Sequence, residues 1–277
     1  MKKNLDEKKL SFFANKRFSG KTVLITGATS GIGREMAKLL AGCGCRILAL
    51  GRDRESMKSL LKELNENSGP LSEGLIADLA DRDIRRKLIK KISKNYEIDI
   101  LVNSAGFGYL GDFCLMAEDS VDSMREVNID TVVDFCREFL PKMAKKHQGG
   151  ILNIGSTASF FGTPGSSLYG ATKHFILGFT DALHQEALSY GVYVSGVYPG
   201  HTHSRFVERA TSGKVKKWTK GMSPVLVAKL GLEGLGKNKI RIIPGFYNKM
   251  LFLAAKILPI SFILKELYAK FIRNHTQ

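Results

Sequence analysis

Residues 21–33 read Lys21-Thr-Val-Leu-Ile-Thr26-Gly27-Ala28-Thr29-Ser30-Gly31-Ile32-Gly33, and this stretch decides the fold. Val23 to Ile25 form a short aliphatic run of the kind that is buried as a strand. Three glycines follow at the spacing Gly-x-x-x-Gly-x-Gly, and residues 34–40 continue with a helical pattern. Glycine permits a tight turn and a close approach of the backbone to a ligand. Because the first amides of a helix are unpaired and its dipole favours an anion, the stretch predicts a pyrophosphate site.

Strand and helix patterns alternate along the rest of the chain. Short apolar runs predict further strands at Cys45–Leu50, Glu73–Ala77, Asp99–Val102, Gly150–Ile154, Val192–Tyr198 and Ile240–Ile243. Helical spacing predicts helices over about 53–66, through about Lys94, over about 120–146 and over about 167–190. This alternation implies right-handed crossovers and a parallel sheet. We therefore expect an α/β fold, a doubly wound Rossmann-type parallel sheet of about seven strands with helices on both faces, plus a C-terminal helical extension.

Length and charge suit one folded domain with basic segments around it. A chain of 277 residues fits a single catalytic domain, placed at residues 1–245, followed by the extension at 246–277. Of the net charge of +16, residues 1–21 hold +5, residues 205–220 hold +5 and residues 237–277 hold +7, which leaves −1 on the remainder. No nucleic-acid motif accompanies these segments. We therefore expect an acidic substrate or an anionic membrane surface as partner, and no nucleic acid.

The cysteines and the amino-terminal residues bear on the cellular compartment of the protein. Cys43, Cys45, Cys114 and Cys136 show no paired metal-ligand spacing, so we expect reduced thiols. Residues 1–20 form a lysine-rich arm without the apolar stretch and cleavage site of a secretory signal. These features predict a cytoplasmic protein.

Polar, charged and glycine residues follow successive predicted strands where each strand ends. They are Gly27, Arg52, Asp78, Asn103, Ser156 and Pro199. The carboxyl ends of parallel strands share one edge of a doubly wound sheet, and ligands bind at that edge. The sequence therefore predicts a single crevice lined by these scattered positions.

Tyr169 and Lys173 are the main candidates for acid–base chemistry. Their spacing of four places the phenol and the ammonium on one helical face. A nearby ammonium favours the tyrosinate, which lowers the pKa of the tyrosine towards the range of a general acid–base group. Such a pair alone is more often a surface contact. Here Ser156 precedes Tyr169 by 13 residues at a strand end, and Asn128 lies in the preceding long helix, so an active site is favoured.

These motifs stand in the order typical of one enzyme family. Over about residues 19–245 the chain resembles the short-chain dehydrogenase/reductase family, in its shorter single-domain branch. The resemblance implies that Tyr169 donates a proton to a carbonyl oxygen, that Ser156 holds this oxygen, and that Asn128 supports a water relay. It also implies that Lys173 grips the nicotinamide ribose and lowers the pKa of Tyr169.

A dinucleotide cofactor follows from the resemblance, and we expect a small-molecule carbonyl or alcohol substrate and a homodimer or homotetramer. The implied cofactor contacts are Gly27, Thr29, Ser30, Gly31, Ile32, Gly33, Arg52, Asp78, Leu79, Asn103, Ala105, Gly106, Tyr169, Lys173, Pro199, Gly200, Thr202 and Ser204. The serine in Asn103-Ser-Ala-Gly106 departs from the family, where a second asparagine is usual. No metal is expected, and His201 and His203 are interpreted as lid residues.

The residues at the end of the second predicted strand bear on the choice between NAD(H) and NADP(H). Enzymes that select NAD usually place an acid there to bind the ribose 2′-hydroxyl. Gly51 and Arg52 stand there instead, and a guanidinium fits a 2′-phosphate. We therefore expect NADP(H) in preference to NAD(H). The alternative is that Arg52 points into solvent while Asp53 caps the next helix.

The substrate is predicted only as a class. Candidates for an apolar pocket are Phe107, Tyr109, Phe160, Phe161 and Trp218, although ordinary packing explains each equally well. Residues 201–222 are expected to form a lid, with Ser204 where the family usually has threonine. The leading function is an NADP(H)-dependent carbonyl reductase or alcohol dehydrogenase for an apolar or lipid-like ketone. A catalytically silent NADP(H)-binding sensor or membrane-attached scaffold is the alternative, and the intact catalytic set weighs against it.

The tail from residue 246 is apolar but interrupted. Lys249 and Lys256 lie within Phe246–Leu258, and Pro259 breaks the stretch before a second apolar run. A membrane span needs roughly 18 or more continuous apolar residues. We expect an amphipathic helix pair that packs on the body, on another subunit or on a bilayer surface. Packing within the protein or against a subunit is favoured, and peripheral membrane contact through residues 246–272 is the alternative.

Overall fold

Parallel strands form one sheet in the part of the chain that the structure describes. The computed structural model describes residues 18–66, 70–211, 213 and 221–275, with side chains up to residue 269. Residues 1–17 of the predicted arm, and 212 and 214–220 of the predicted lid, which include Trp218, lie outside the described residues. The strands are β1 (Thr22–Thr26), β2 (Arg46–Gly51), β3 (Glu73–Ile76), β4 (Ile100–Asn103), β5 (Gly149–Ile154), β6 (Val192–Val197) and β7 (Arg241–Ile242). Their order across the sheet is β3-β2-β1-β4-β5-β6-β7, and every neighbouring pair is parallel. The predicted Rossmann-type fold is confirmed.

Helices connect the strands and follow the last one. They are α1 (Gly31–Ala41), α2 (Arg54–Asn65), α3 (Arg82–Asn95), α4 (Glu118–Arg125), α5 (Thr131–Lys145), α6 (Ser167–Leu188), α7 (Phe206–Ala210), α8 (Pro224–Gly236), α9 (Phe246–Ile257) and α10 (Ile260–His275). The Asp53 carboxylate accepts a hydrogen bond from the Ser56 amide, and Asp81 accepts one from the Ile84 amide. These carboxylates therefore cap α2 and α3 and satisfy amides that the helices leave unpaired.

Apolar cores lie on both faces of the sheet. In β1, Val23 and Ile25 belong to the core shared with α1, α2 and α8, whereas Leu24 belongs to the core shared with α3, α5 and α6. This alternation follows from the two-residue period of a strand. Because both faces are buried, the strands read as continuous apolar runs rather than as alternating ones.

The long helix predicted over about 120–146 is found as continuous helical backbone over residues 118–145, but it contains a π-helical turn that the sequence pattern did not indicate. A π-helical turn over Glu126–Asp130 separates α4 from α5. The Thr131 amide and hydroxyl both donate to the Glu126 carbonyl, the hydroxyl at 2.9 Å. The wider turn inserts one residue into the helical register, and π turns are frequent at functional sites. It places Asn128 inside the protein, where its side chain is buried.

The tail forms two helices, α9 and α10, on either side of Pro259. One face contacts the body, since the Phe252 and Phe160 rings lie 4.7 Å apart and Asn248 Nδ2 donates to the Pro244 carbonyl at 2.6 Å. The opposite face is exposed and apolar, with Phe246 at 80% and Ile257 at 78% of full exposure. Among the described residues, every helix is too short or too polar to cross a bilayer.

Candidate active site

The glycine-rich turn after β1 is a backbone cradle without room for side chains. Gly27 has φ of 68°, in the left-handed region. A Cβ atom on Gly27 would lie 2.7 Å from Ala105 Cα, and one on Gly33 would lie 2.6 Å from the Gly27 carbonyl oxygen. Both positions therefore require glycine. The turn is held directly against the loop after β4.

The start of α1 offers unpaired amides to a ligand. Ser30 precedes the helix, and within residues 18–66 its side chain makes no capping hydrogen bond. The first turn carries no carboxylate, so the positive end of the helix dipole is not compensated there. A dinucleotide pyrophosphate fits this arrangement. The residues that would hold it are Gly27, Thr29, Ser30, Gly31, Ile32 and Gly33.

The loop after β4 is fixed by Thr26, which the sequence reasoning did not single out. The Thr26 hydroxyl accepts hydrogen bonds from the amides of Ser104 and Ala105, each at 3.1 Å. The Asn103 side chain points into the sheet instead, and its Nδ2 donates to Asn153 Oδ1 at 2.9 Å. Asn103 therefore ties β4 to β5, while the Ala105 backbone lies against the glycine-rich turn. The threonine in Thr26-Gly27 was the available sequence signal.

Arg52 lies at the carboxyl edge of β2, as its position in the sequence predicted. Its Nη1 is 3.6 Å from Asp78 Oδ2, and the two side chains are 64% and 48% exposed. Asp53 caps α2, as the alternative interpretation expected, but Arg52 is turned towards Asp78. Leu79, the next predicted cofactor contact, is buried. At this edge the Arg52 guanidinium thus has the Asp78 carboxylate as its neighbour.

Ser156 and Tyr169 meet beyond the end of β5. Ser156 begins the 3-10 helix Thr157–Ser159, and its Oγ accepts a hydrogen bond from the Ala158 amide at 3.1 Å. Burial raises the pKa of the Tyr169 phenol to about 12, and a hydrogen bond with Ser156 opposes part of this rise. The phenol therefore keeps its proton throughout the neutral range, as a proton donor must.

Lys173 follows Tyr169 by one turn of α6, and its surroundings differ from the expected ones. Its Nζ donates to the Ile154 carbonyl at 2.9 Å and lies 5.7 Å from the centre of the Tyr169 ring. The residue is only 6% exposed, and burial lowers the pKa of its ammonium to about 8. We expected this ammonium to lower the pKa of Tyr169. It is directed at a strand carbonyl instead, and burial dominates the pKa of the phenol.

Asn128 fixes the loop after β4 to the helix that carries Tyr169. Its Nδ2 donates to the Phe107 carbonyl at 2.9 Å and to Thr172 Oγ1 at 3.1 Å. Its Oδ1 accepts from the Phe107 amide at 3.1 Å. Through these bonds the Asn128 side chain positions the loop after β4 against α6. The water relay implied for Asn128 stays a prediction.

Residues after β6 carry the chain across the crevice. The Pro199 carbonyl accepts a hydrogen bond from the Thr157 amide at 2.9 Å, which holds it beside the catalytic candidates. Gly200 packs on α9, because a Cβ atom there would lie 2.6 Å from Asn248 Oδ1. Thr202 is buried and bridges to Met222 at the far end of the predicted lid.

His201 and His203 belong to the predicted lid. Burial lowers the pKa of His201, which favours a neutral imidazole. The His203 ring packs against Gly221, 3.1 Å from where a Cβ atom would stand. Within the described ranges, no three His, Cys, Asp or Glu side chains are grouped to hold a metal ion.

The aromatic candidates divide between the site and the tail. Phe206 of α7, which sequence reasoning missed, lies with its ring 5.3 Å from that of Tyr169 and so covers the phenol. Phe160 instead contacts Phe252 of α9. Phe107 and Tyr109 lie in the loop after β4, and Phe161 is buried. Phe206 of the predicted lid thus places an apolar ring beside the phenol.

Known proteins resemble this chain in sequence and in fold. Residues 21–214 match the model of a family described as short chain dehydrogenase. The very-long-chain 3-oxoacyl-CoA reductase of Anas platyrhynchos is 29% identical over 266 residues, which cover 92% of this chain and 83% of that protein. The 3-oxoacyl-[acyl-carrier-protein] reductase of Thermotoga maritima is 31% identical over 194 residues, which cover 70% and 78%. A short-chain dehydrogenase from Sphingobium yanoikuyae in complex with NADPH matches with a TM-score of 0.79 at 29% identity, over 85% of this chain and 92% of that one.

Proposed function

The chain belongs to the short-chain dehydrogenase family, and we propose that it uses NADP(H) to interconvert an apolar ketone and its alcohol, with Tyr169 as general acid and base. Membership makes it an NAD(P)-dependent oxidoreductase that acts on CH–OH and C=O groups. One observation supports the finer proposal. The Tyr169 phenol is close enough to Ser156 for that hydroxyl to lower its pKa, and the buried Lys173 ammonium lies 5.7 Å from the centre of its ring at the carboxyl edge of the sheet.

Each catalytic candidate has a separate role in carbonyl reduction. When bound, the nicotinamide supplies the hydride in reduction and accepts it in oxidation. The Tyr169 hydroxyl donates its proton to the carbonyl oxygen, and the Ser156 hydroxyl donates a hydrogen bond to the same oxygen. Lys173 offers its ammonium to the ribose hydroxyls.

The substrate class is supported by the apolar surroundings of Tyr169 and by the relatives. The proteins of Anas platyrhynchos and Thermotoga maritima are named for 3-oxoacyl reduction on a CoA thioester and on an acyl carrier protein. We therefore propose a carbonyl on an apolar chain or ring. A panel of 3-oxoacyl thioesters, steroid ketones and short aliphatic ketones, followed by NADPH absorbance, tests this. NADPH binding without turnover of any of them would favour the catalytically silent alternative.

Arg52 supports the preference for NADP(H), because a guanidinium at the end of β2 pairs well with a phosphate. Arg52→Ala should weaken NADPH binding about tenfold or more and leave NADH binding nearly unchanged, since a charge-assisted hydrogen bond contributes about 1.5–3 kcal/mol and Arg52 is exposed. Calorimetric titration with each nucleotide measures both affinities. Equal weakening of the two would make Arg52 structural and remove the main support for NADP(H).

We also propose that the tail binds an anionic membrane surface. Phe246, Met250, Leu253 and Ile257 are all exposed and stand on one face of α9, four or three residues apart. Lys249 and Lys256 belong to the same helix, with Lys256 Nζ at 4.7 Å from the centre of the Phe252 ring beside the stripe, and residues 237–277 carry +7. Apolar insertion combined with lysine attraction to headgroups is how interfacial helices bind. Because the inner face of α9 packs on Phe160, the stripe lies near the catalytic edge, where a lipid-like substrate would arrive.

Sedimentation with vesicles tests the membrane proposal. The intact protein should pellet with anionic vesicles at low salt, less with neutral ones, and less as salt rises. Replacing Met250, Leu253 and Ile257 together by aspartate should abolish pelleting while NADPH still binds. The matched control is Leu71→Asp, which alters an exposed apolar residue just before β3 and should leave pelleting intact. Unchanged pelleting of the triple variant, or recovery of all proteins in the supernatant, would end the proposal. A change in oligomeric mass of the triple variant would assign the stripe to a second copy.

We further propose a cytoplasmic homodimer or homotetramer. On α6 the Phe175 and Phe179 rings stack 5.8 Å apart, and Phe175 is exposed, which offers apolar area to a second copy. Light scattering of the intact protein gives the mass of the assembly.

A further inference from the structure

The first residues of the lid cross the crevice from β6 to α2. Ser204 lies over the glycine-rich turn, because a Cβ atom on Gly31 would be 3.2 Å from the Ser204 Cβ. Arg205 reaches further, where its Nη2 donates to Ser56 Oγ at 3.0 Å and lies 3.5 Å from Asp53 Oδ2. Asp53 and Ser56 lie at the start of α2. The lid therefore contacts the end of the crevice that carries Arg52.

Arginine side chains from the lid and from β2 converge at that end. Arg209 follows Arg205 by one helical turn, with its amide donating to the Arg205 carbonyl at 3.2 Å. Burial and the nearby positive charges of Arg205 and Arg52 lower the pKa of Arg209, while the carboxylates of Asp53 and Glu208 oppose this change. Asp53 and Asp78 pair with Arg205 and Arg52, at 3.5 Å and 3.6 Å. Guanidinium groups at short range repel one another, so a bound anion would stabilise the cluster. A phosphate monoester, which is close to doubly charged at neutral pH, suits several such groups because each presents a fork of donors.

The same short lid helix also contacts the catalytic candidates. Phe206 follows Arg205 directly, and its ring lies 5.3 Å from that of Tyr169. The Ala210 carbonyl at the end of α7 accepts a hydrogen bond from the Leu110 amide at 2.8 Å. Arg205 is the N-cap of α7, and the helix has only five residues. A ligand that positions Arg205 or Arg209 therefore also positions Phe206. One segment therefore joins the Arg52 end of the crevice to the phenol.

We propose that Arg205 and Arg209 bind the 2′-phosphate of NADP(H) together with Arg52, and that this phosphate holds α7 against Tyr169. The inference rests on the NADP(H) use proposed above and adds the lid to the nucleotide site. Binding exchanges the Asp53 partner of Arg205 for a phosphate oxygen, which is the more highly charged acceptor. NADH lacks this phosphate, so it leaves Arg205 on Asp53 and gives the lid no added contact.

Nucleotide fragments test the contact without any turnover. Calorimetry with 2′,5′-ADP and with 5′-AMP compares ligands that differ only in the 2′-phosphate. Arg205→Ala and Arg209→Ala should each weaken 2′,5′-ADP about five- to thirtyfold and change 5′-AMP less than twofold. Arg205→Lys should lose less than Arg205→Ala, since it keeps the charge without the fork. The matched control is Arg125→Ala, which removes a similarly exposed arginine from a surface ion pair with Asp122 and should change neither affinity.

Hydrogen–deuterium exchange gives the second readout. Amides of residues 204–210 should exchange more slowly with NADPH than with NADH at equal saturation, and this difference should vanish in Arg205→Ala. Equal loss of 2′,5′-ADP and 5′-AMP affinity in the alanine variants would overturn the proposal, as would equal protection by the two cofactors. If Arg52→Ala alone removes the preference for the 2′-phosphate, only the lid contact fails. If the wild type binds 2′,5′-ADP no tighter than 5′-AMP, the NADP(H) assignment itself fails.

Discussion

Replacing Tyr169 by phenylalanine should lower kcat for carbonyl reduction by about two to four orders of magnitude, the range attributed to general acid–base catalysis. The substitution removes the transferable proton and keeps the ring that packs on Phe206. NADPH affinity should therefore change little. Steady-state kinetics on the best ketone of the panel, with calorimetry on the same samples, separates the two effects.

A matched tyrosine shows whether loss of any phenolic hydroxyl has this effect. Tyr190, just after α6, is half exposed, and Tyr190→Phe should retain wild-type kcat. Near-normal turnover in Tyr169→Phe would show that another group protonates the carbonyl. Ser156 would then be the first candidate, because its hydroxyl is close enough to Tyr169 to lower the pKa of that phenol.

The fold was predictable because its signals are local. The aliphatic run of β1 is buried on both faces, and Gly27 and Gly33 stand where any side chain would collide with backbone. Strand ends differ from prediction by only one or two residues, as at Cys45–Leu50, which is found as Arg46–Gly51. The boundary depends on where the hydrogen-bond ladder with neighbouring strands stops, and hydropathy does not record that.

The internal geometry of the site was less predictable because it depends on contacts distant in sequence. Asn128 bonds to Phe107 and Thr172, which are 21 and 44 positions away, and these bonds accompany the π turn. Nothing in the local pattern from Val127 to Thr131 distinguishes that turn from a regular helix. Lys173 likewise lies one turn from Tyr169, but its ammonium donates to the carbonyl of Ile154, 19 positions earlier in the chain.

The positive charge of the lid could be seen in the sequence, but the place of that charge in the fold could not. Residues 205–220 carry +5, which predicts an anionic partner but not which one. In the structure Arg205 and Arg209 lie near Arg52 and Asp53. The lysines of residues 214–220 lie outside the described residues. Only the approach of the lid to α2 connects this charge with the nucleotide crevice.

NADPH affinity should weaken as pH rises through about 8, because that is the value to which burial lowers the pKa of Lys173. Below it the ammonium is charged and can donate to the ribose hydroxyls, and above it the neutral amine offers a weaker contact. A single controlling group weakens the affinity by at most about tenfold per pH unit above its pKa. Calorimetric titration across this range locates the break, which is the pH at which NADPH affinity begins to fall. This pH corresponds to the pKa of Lys173 in the nucleotide-free protein.

Lys173→Met should remove both this break and most of the activity. At pH below 8 we expect NADPH to bind about ten- to hundredfold more weakly, since a hydrogen bond from a charged group is lost, and kcat to fall with it. Above about pH 10 the variant and the wild type should converge in affinity, because the wild-type lysine is then neutral. Lys21→Met is the matched control, as it removes a partly buried lysine paired with Asp99 at the opposite edge of the sheet. Wild-type NADPH affinity in Lys173→Met would remove the ribose contact, and a persisting break near pH 8 would assign that titration to another group.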